Sequence, residues 1–380
     1  MRLPKSRILM RVLQYMLTVV NFKSSRFHKV CINENDLEKT KKVELAIPDI
    51  LKMPKVGLVK DKGEKSYWPK YERFLKNNEI PYGFYDIHSH NWLEQSNEFD
   101  LIVWRTASSA SELDEARKKI FVLEKYMGKR CFPTFNMIMI YEDKAIQHFL
   151  MKLKGLSEIE TYVSNSFEDA LTLSKKLGVP LVSKVNPGSG SAGVELVKSH
   201  RAARKLVEKA FSYNGRWTYW PYLRQKDYVL FQKLQRNDGY DLRIIAIGNY
   251  VFGYYRDTPK HDFRASGMGK FRKEDIPVRA MDIARLVADE FDLPTVAVDF
   301  LYDSIEDKFY IIEVSSFIRV DTAEQLHVNG VPGVYIFEDG KYRFEPGKFW
   351  IQELSLKVFI ERTYWKSHGG VKNERDRICD

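Results

Sequence analysis

The sequence predicts a protein of mixed α/β and α+β class, in which a small doubly wound α/β domain precedes two α+β units. From Lys55 onward, short apolar runs alternate with segments of helical spacing, as in a sheet covered by helices. From about Tyr228 onward strands predominate, which indicates a strand-rich unit. At 380 residues the chain is too long for one small core, so two or three packed units are expected.

The first unit is predicted to alternate strands with helices. Its strands are the runs KVGLVK (55–60), IPYGFYDI (80–87) and DLIVWR (100–105). Tyr67–Asn78 has helical spacing, and a second helix is predicted to begin at Ser111 because Asp114 stands at capping-box spacing from it. These elements together predict the small doubly wound layer.

The second unit is predicted to begin near Pro133. A capping box at Ser166 and Asp169 begins a helix that ends at Gly178. The other predicted elements are a helix over 141–154, strands over 159–163, 181–185 and 194–197, and a Lys/Arg-rich helix over 201–211.

The third unit is predicted to be mostly strands. Strands are expected over 228–234, 241–248, 250–256, 295–303 and 308–316, with helices over 278–291 and 351–361. The predicted domains are a basic helical appendage and linker (1–54), the α/β domain (55–132), two α+β subdomains (133–235 and 236–350), and a C-terminal helix and tail (351–380).

The net charge of +10 favours anionic ligands, and a basic surface with no dedicated partner is the equal alternative. The three cysteines, Cys31, Cys131 and Cys379, show neither a disulfide framework nor zinc spacing. A reducing compartment such as the cytoplasm is therefore expected. Within residues 1–20 a basic apolar segment contains Arg11 and is too short to span a bilayer. It predicts an amphipathic helix that packs on protein or, alternatively, lies on the inner membrane surface.

The stretch PGSGSAGV (187–194) fits G-x-G-x-x-G, the dinucleotide-binding fingerprint. That fingerprint requires a helix directly after the loop, yet Val194–Val197 has the pattern of a strand. No Gly-Lys-Ser/Thr follows either, which excludes a Walker A loop. The remaining interpretations are a glycine-rich hairpin that covers phosphates and an ordinary flexible hairpin. Lys144 and Lys184 bracket this hairpin and favour the first.

Two carboxylates are predicted to oppose each other across the hairpin of 295–303 and 308–316. If Asp303 faces Phe309, then Asp299 faces Glu313 and Leu301 faces Ile311. Like charges opposed on a half-buried face are unfavourable unless a cation offsets them. The pattern predicts a Mg²⁺ site, and the alternative is a one-residue slip that separates the two acids.

Three arginines, Arg243, Arg256 and Arg264, follow one another within about twenty residues near this hairpin. Guanidinium groups suit phosphate and carboxylate oxygens, so the cluster indicates charge stabilisation in phosphoryl transfer. A surface ion pair is the alternative for each one alone. His261 is a candidate substrate contact or a loop residue.

Seven motifs occur in order: EDK, SKVNPGSGSAGVELV, FQKL, GYDLRIIAIGNYVFGYYR, DFRASGMG, AVDFLYD and IIEVSS. At these spacings, from about Pro133 to Phe317, they resemble the ATP-grasp superfamily, in particular the glutathione-synthetase and ribosomal-protein glutamate-ligase type. The unit before them is similar to the domain that usually precedes an ATP-grasp. The resemblance implies a fold in which two α+β subdomains clasp ATP.

The resemblance also implies a role for each matching residue. Lys144, Lys184 and the hairpin glycines and serines would bind phosphates, which assigns Gly188, Ser189, Gly190, Ser191 and Gly193. The adenine would contact Gln232, Lys233 and Leu234, and the ribose would contact Asp238. Mg²⁺, with Mn²⁺ as the alternative, would be held by Asp299, Glu313 and Ser315. Catalysis would fall to Arg243, Arg256 and Arg264.

Two positions depart from the family pattern. Ser315 and Ser266 stand where the family has asparagine, and a hydroxyl is a weaker Mg²⁺ ligand than an amide oxygen. The predicted function is an ATP-dependent carboxylate–amine ligase that acts on small-molecule or polymer-attached substrates through an acyl phosphate. The alternatives are an ATP-grasp phosphotransferase acting on a hydroxyl and a non-catalytic nucleotide-binding module. A dehydrogenase is excluded because the fingerprint fails, and no nucleic acid is expected as a partner.

Overall fold

The computed structural model describes residues 37, 39–46, 52–61, 66–186, 188, 193–218, 222–258, 270–318, 320 and 322–365. The predicted N-terminal helix, the C-terminal tail, Ser189, Gly190, Ser191, Arg264, His261 and Ser266 lie outside these ranges. Within them, no helix is both long enough and apolar enough to cross a membrane.

A parallel sheet, here called the first sheet, organises residues 56–132. Its elements are β1 (Val56–Leu58), α1 (Trp68–Asn77), β2 (Tyr82–Phe84), α2 (Trp92–Ser96), β3 (Leu101–Val103), α3 (Ala110–Lys125) and β4 (Arg130–Phe132). The strand order β2-β1-β3-β4 reverses direction between β1 and β3, which gives the predicted doubly wound layer.

The N-cap of helix α3 lies two residues earlier than predicted. Ser109 is its N-cap and accepts a hydrogen bond of 3.3 Å from the Glu112 amide, while the Glu112 side chain accepts one from the Ala107 amide. Ser111 therefore lies inside the first turn. The Ser109–Glu112 pair fits the capping box better than Ser111 and Asp114, since the motif favours Glu at its fourth position.

The predicted helix over 141–154 is two helices, α4 (Phe135–Ile140) and α5 (Lys144–Leu153). They are separated at Glu142, which has a φ of 58°. Asp143 then caps α5 by accepting hydrogen bonds from the amides of Ala145 and Ile146. The break places Lys144 at a helix N-terminus instead of in a helix interior.

An antiparallel sheet, here called the second sheet, follows. The elements that follow α5 are β5 (Thr161–Ser164), α6 (Phe167–Leu177), β6 (Leu181–Lys184), β7 (Glu195–Val197), α7 (His200–Ala210), β8 (Arg216–Trp217), β9 (Arg224–Gln225) and β10 (Val229–Lys233). The second sheet has the order β5-β10-β6-β7 and packs against α6 and α7. Ser166 caps α6 as predicted, and α6 ends at Gly178 with a φ of 78°. A strand follows the glycine loop, as the sequence predicts.

The elements of a third sheet are β11 (Tyr240–Ile247), β12 (Tyr250–Asp257), β13 (Phe271–Arg272), α8 (Val278–Glu290), β14 (Thr295–Asp303), β15 (Lys308–Ser315), β16 (Leu326–Val328), β17 (Val331–Glu338) and β18 (Lys341–Pro346). Six of its eight strands follow the order β15-β14-β11-β12-β17-β16, while β13 pairs with β12 and β18 pairs with β17. Helix α9 (Ile351–Phe359) then continues as a π-helical turn (Ile360–Tyr364). The strands β16 to β18 were not predicted.

The predicted pairing of Asp299 with Glu313 is present. It was derived from a pairing of Asp303 with Phe309 at the turn, and that assumed pairing is wrong. Asp303 pairs with Lys308, and Leu301 with Tyr310, one residue away from the expected register. A β-bulge between Asp299 and Phe300 then shifts the pairing by one residue. The bulge restores the register at the two acids.

Two separate apolar cores support these sheets. The larger one runs without interruption from the first sheet through α4 to the third sheet and α9. The smaller one lies inside the second sheet and its helices. The predicted domain boundaries at residues 54, 132, 235 and 350 remain predictions.

Candidate active site

A cleft of about 800 Å³, open solvent at its mouth included, lies between the second and third sheets. The residues that line it are Lys144, Ile159, Val182, Lys184, Gly188, Val194, Gln232, Lys233, Leu234, Gln235, Asn237, Asp241, Arg256, Asp299, Leu301, Ile312 and Glu313. Apolar and charged members of this set come from the same strands, as Val182 and Lys184 on β6 show.

One part of the cleft, here called the apolar slot, is lined by aliphatic side chains. Val182 comes from β6, Val194 directly precedes β7, and Leu301 and Ile312 come from the third sheet. Where β10 ends, Lys233 and Leu234 carry the chain from one sheet to the other along the cleft wall. Apolar walls beside a strand end offer both burial and backbone hydrogen bonds to a heterocycle.

Asp299 is held by two arginines at the charged end of the cleft. Arg243 binds it with two hydrogen bonds of 2.6 and 2.7 Å, and Arg256 Nη2 lies 2.7 Å from Asp299 Oδ2. Burial would raise the pKa of Asp299, but Arg243 and then Arg256 hold it well below its usual range. Asp299 is therefore ionised at neutral pH.

Arg256 also pairs with Asp241, its neighbour across β11 and β12. Both side chains are almost completely buried. Burial raises the pKa of Asp241 to about 6 despite the opposing effect of Arg256. Asp241, Arg243, Arg256 and Asp299 form a buried network on neighbouring strands, and Arg243 lies behind the cleft wall.

Glu313 is the carboxylate that faces the open part of the cleft, with 27% of its side chain exposed. Its Oε1 lies 3.3 Å from Lys144 Nζ. The same ammonium donates a hydrogen bond to the carbonyl of Gly188, and the Lys144 amide donates one of 2.8 Å to Asn186 Oδ1. Lys144 thus connects the glycine loop with the acidic strand β15.

Lys184 points into the cleft from the end of β6. Its ammonium is 3.3 Å from the carbonyl oxygen of Ile312 and has no carboxylate partner within ion-pair distance in the described part of the chain. Burial lowers the pKa of Lys184 to about 8, against the opposing influence of Glu313. A buried cation without an anion is a receptor for an anionic ligand.

Glu142 is a buried acid that the sequence interpretation missed. Burial raises the pKa of Glu142 to about 7, although Lys144 opposes the shift. Its Oε2 is shielded from solvent and has no hydrogen-bond partner among the described residues. Its positive φ is unusual for a side chain other than Gly, Asn or Asp, and strained conformations of this kind cluster at functional sites.

The acids of the cleft fit a divalent cation only in part. Among the described residues, no group of three or more His, Cys, Asp and Glu side chains is arranged to hold a metal ion. Asp299 and Glu313 are nevertheless paired across β14 and β15 and offer hard oxygen donors. Mg²⁺ commonly takes one or two carboxylates and completes its octahedron with phosphate oxygens and water. The donor set therefore fits a metal that arrives with a phosphate ligand.

A family model for the RimK-like ATP-grasp domain matches residues 141–330, which is half of the chain. The chain belongs to the RimK-like ATP-grasp family. The matched range contains the second sheet, most of the third and every charged residue of the cleft. The resemblance inferred from the seven motifs is confirmed, and so is the predicted fold class.

Curated relatives match a stretch of similar length. A protein of Stenotrophomonas maltophilia named "Probable alpha-L-glutamate ligase" is 28% identical over 169 residues, which are 44% of this chain and 53% of the relative. One of the same name from Vibrio atlanticus is 24% identical over 181 residues, 47% of this chain and 53% of the relative. This RimK-like chain thus spans about half the length of the curated relatives it matches.

Solved structures share the fold at low identity. D-alanine–D-alanine ligase from Bacillus anthracis, complexed with ATP, has a TM-score of 0.50 at 14% identity and covers 70% of this chain and 86% of that one. A RiPP-associated ATP-grasp ligase from Chryseobacterium gregarium, in complex with ADP and a leader and core peptide, also has a TM-score of 0.50 at 14% identity. It covers 70% of this chain and 90% of its own.

Two residues that were predicted to contact the nucleotide or the metal, Asp238 and Ser315, do not line the cleft of this RimK-like domain. The Asp238 carboxylate accepts hydrogen bonds from the Ser304 amide and hydroxyl, and Asn237 lines the cleft in its place. Ser315 pairs with Ala297, one side-chain repeat along β15 from Glu313, and is not among the lining residues. Gln232 lines the cleft, but its side-chain amide donates a hydrogen bond to the Thr161 hydroxyl.

Three residues in or beside the cleft received no role in the sequence analysis. Asp241 and Glu142 lie inside motifs that the resemblance uses, DLR and EDK, and either could have been found by asking which acids face the cations. Asn186 lies inside the glycine-loop motif, but its role depends on the approach of α5 to that loop, which the motif does not show.

Proposed function

We propose that this chain is an ATP-dependent carboxylate–amine ligase that forms an amide through an acyl phosphate. The observation that carries the proposal is that one cleft is apolar at one end and charged at the other. An apolar slot beside a strand end leads to Lys144, Lys184 and Arg256 and to the opposed acids Asp299 and Glu313. Adenine, phosphates and a metal require those surroundings in that order.

In this proposal the adenine lies against Leu234 and the apolar walls, with hydrogen bonds from the backbone of Gln232–Leu234. The phosphates lie beside Lys144 and Lys184, covered by the loop of Gly188 to Gly193. The unpaired ammonium of Lys184 supports this placement, because a phosphate supplies the anion it lacks. Asn237 replaces Asp238 as the residue in position to contact the ribose.

Asp299 and Glu313 would hold Mg²⁺ or Mn²⁺, with Ser315 as a ligand through water at most. When bound with ATP, the metal would neutralise phosphate charge during transfer. Arg243 and Arg256 keep Asp299 ionised and correctly oriented for this role. Arg256 lines the cleft and also faces the transferring phosphoryl group, whereas Arg243 acts through Asp299 as a positioning residue. The role of Arg264 stays a prediction.

The chemistry has two steps. A substrate carboxylate oxygen attacks the γ-phosphorus of ATP, and the bond to the β-phosphate oxygen breaks to release ADP. An amine then attacks the acyl phosphate carbon, phosphate leaves with the electrons of the C–O bond, and the amine gives up a proton. Charge stabilisation by positioned cations is sufficient for both transfers, so no protein nucleophile is required.

The curated relatives support a first choice of substrate. Because they are named alpha-L-glutamate ligases, glutamate as acid or amine is the first candidate, either free or attached to a polymer.

Cys131 is buried and unpaired, which supports activity in a reducing compartment such as the cytoplasm.

The proposal is tested by trapping the intermediate. Purified protein is incubated with ATP, Mg²⁺, hydroxylamine and a panel of carboxylic acids led by L-glutamate, and hydroxamate and ADP are measured together. We expect both products in equal amounts and neither after chelation of the metal. A phosphorylated alcohol without hydroxamate would favour the phosphotransferase. Tight ATP binding with background ADP release for every acid would favour a non-catalytic module, for which Ser315 and Ser266 are the supporting features of the sequence.

A further inference from the structure

The strand order of the first sheet has a switch point at the carboxyl ends of β1 and β3. The chain leaves β1 for β2 on one side and later enters β3 on the other side, so the strand order reverses between β1 and β3. In open parallel sheets, ligands bind outside the carboxyl ends at such a reversal. The loops there are 59–61 after β1 and 104–107 after β3.

Arg105 lies in the loop after β3 and is largely enclosed by aromatic side chains. Its guanidinium carbon is 4.6 Å from the centroid of the Tyr67 ring. The phenol groups of Tyr71 and Tyr141 are also close enough to interact with it electrostatically. Part of the side chain remains accessible, and Lys70 adds a second cation 5.5 Å from the same Tyr67 ring. The surroundings are cationic and aromatic.

Among the described residues no carboxylate lies within ion-pair distance of Arg105, although Asp61 interacts with it electrostatically. Its Nε is shielded from solvent without a hydrogen-bond acceptor, and so is the hydroxyl of the next residue, Thr106. The nearest acid, Asp61, accepts hydrogen bonds of 2.9 to 3.0 Å from the backbone amides of Tyr67 and Trp68 at the start of α1. Asp61 therefore serves the helix. An enclosed guanidinium with unused donors is costly unless a ligand supplies the acceptor.

Two short connections join Arg105 to the charged end of the cleft. Tyr141 interacts with Arg105 and precedes Lys144 by three residues, a span of at most about 11 Å. Tyr141 also packs on Phe317, with ring centroids 6.0 Å apart, and Phe317 follows the strand that carries Glu313. Arg105 and the charged end of the cleft are therefore linked through Tyr141.

We propose that Arg105 binds a non-reacting carboxylate of an amino-acid substrate at the carboxyl edge of the first sheet. The inference rests on the proposed ligase function and adds a recognition site outside the family-matched residues 141–330. A guanidinium recognises a carboxylate with paired hydrogen bonds, and stacking on Tyr67 fixes the plane of the fork. The first domain thereby selects substrates that carry a free carboxylate in addition to the reacting group.

The test compares ligands with and without that carboxylate. Wild-type protein, Arg105→Gln and Arg105→Lys are titrated calorimetrically, in the presence of ADP and Mg²⁺, with glutamate, aspartate, alanine and leucine and with their α-carboxamides. We expect at least one free amino acid to bind wild type at least about 10-fold more tightly than Arg105→Gln. The matching carboxamide should bind wild type and Arg105→Gln equally, and Arg105→Lys should retain part of the affinity. Arg204→Gln, on the exposed face of α7, is the matched control and should bind like wild type.

Separate readouts distinguish this inference from the proposed function. ATP binding should be equal in wild type and Arg105→Gln, and the thermal stability of Arg105→Gln should match or exceed that of wild type. The inference is overturned if Arg105→Gln binds free amino acids like wild type, if it weakens acid and carboxamide alike, or if none of the panel binds wild type. If wild-type protein binds no ATP or forms no hydroxamate, that result would instead contradict the ligase proposal.

Discussion

The two sheets that enclose the cleft are supported in different ways. The second sheet has a small core of its own, made of ten described residues that include Leu173 and Phe231. The third sheet shares one continuous core with the first sheet and α9. The wall that carries Asp299 and Arg256 is therefore part of the main body, whereas Lys184 and Gly188 belong to a unit with few apolar ties to it. This contrast suggests a fixed wall for chemistry and a movable cover for the nucleotide.

The largest effect is expected at the fixed wall. Glu313→Gln keeps the shape of the side chain but removes the charge that faces the open cleft, so turnover should fall by about 10²-fold to 10³-fold or more. The measurement is ADP release with the best acid from the trapping panel. Glu345→Gln, on an exposed strand, is the control and should retain activity. Near-normal turnover in Glu313→Gln would contradict the metal assignment.

The next largest effect is expected on stability, in the buried network of the same wall. Arg256→Gln leaves both Asp241 and Asp299 without one cation in a buried position, so the free energy of unfolding should fall by about 3–5 kcal/mol. Urea denaturation measures the change. The control is Arg272→Gln, which breaks partly exposed ion pairs with Asp257 and Glu274 and should cost about 1 kcal/mol or less. Equal losses in both variants would mean that the network does not stabilise the wall.

Lys184, the cation of the movable cover, should affect the affinity for ATP and not the free energy of unfolding. Because the pKa of Lys184 is lowered to about 8, its ammonium is present below pH 8 and lost above it. ATP affinity of wild type should therefore fall as the pH rises through 8. Lys184→Ala should bind ATP about 10- to 100-fold more weakly at pH 7 and lack that pH dependence. Calorimetric titration from pH 6.5 to 9.5 tests both statements, with the exposed Lys198→Ala as control. An unchanged pH profile in Lys184→Ala would assign the dependence to another group.

The sequence predicted local elements well and long-range approaches poorly. Caps and hydrophobic periodicity are encoded within a few residues, so Ser166, Gly178 and Thr295–Asp303 were placed correctly. The pairing of Asp299 with Glu313 was right only because the bulge cancelled an error in the turn. A bulge changes the register by one residue without a distinct composition, so spacing alone could not reveal it.

The parts of the site that the sequence could not supply depend on tertiary contacts. Glu142 matters because the break between α4 and α5 turns it toward the cations, and the periodicity of 141–154 predicts one helix there. Asp238 was expected at the ribose because the family resemblance implied it, yet Ser304 in the turn after β14 binds its carboxylate. Both outcomes depend on which neighbour approaches, and a single sequence contains no direct record of that approach.

The smallest effect is expected where the glycine loop rejoins the second sheet. Gly193 has a φ of 80°, and a Cβ there would lie 2.0 Å from Val185 Cγ2, so Gly193→Ala should destabilise β6 and β7 by about 1–2 kcal/mol. Gly155→Ala is the matched control, because its φ of 63° is also positive but no atom lies within 4 Å of the added Cβ. Hydrogen exchange, read strand by strand, is the measurement. If the two sheets are independent, Gly193→Ala raises exchange in β6 and β7 and leaves β11 and β14 protected. Equal changes in all four strands would show that the second sheet opens only together with the main body, and the cover would then have to be the loop alone.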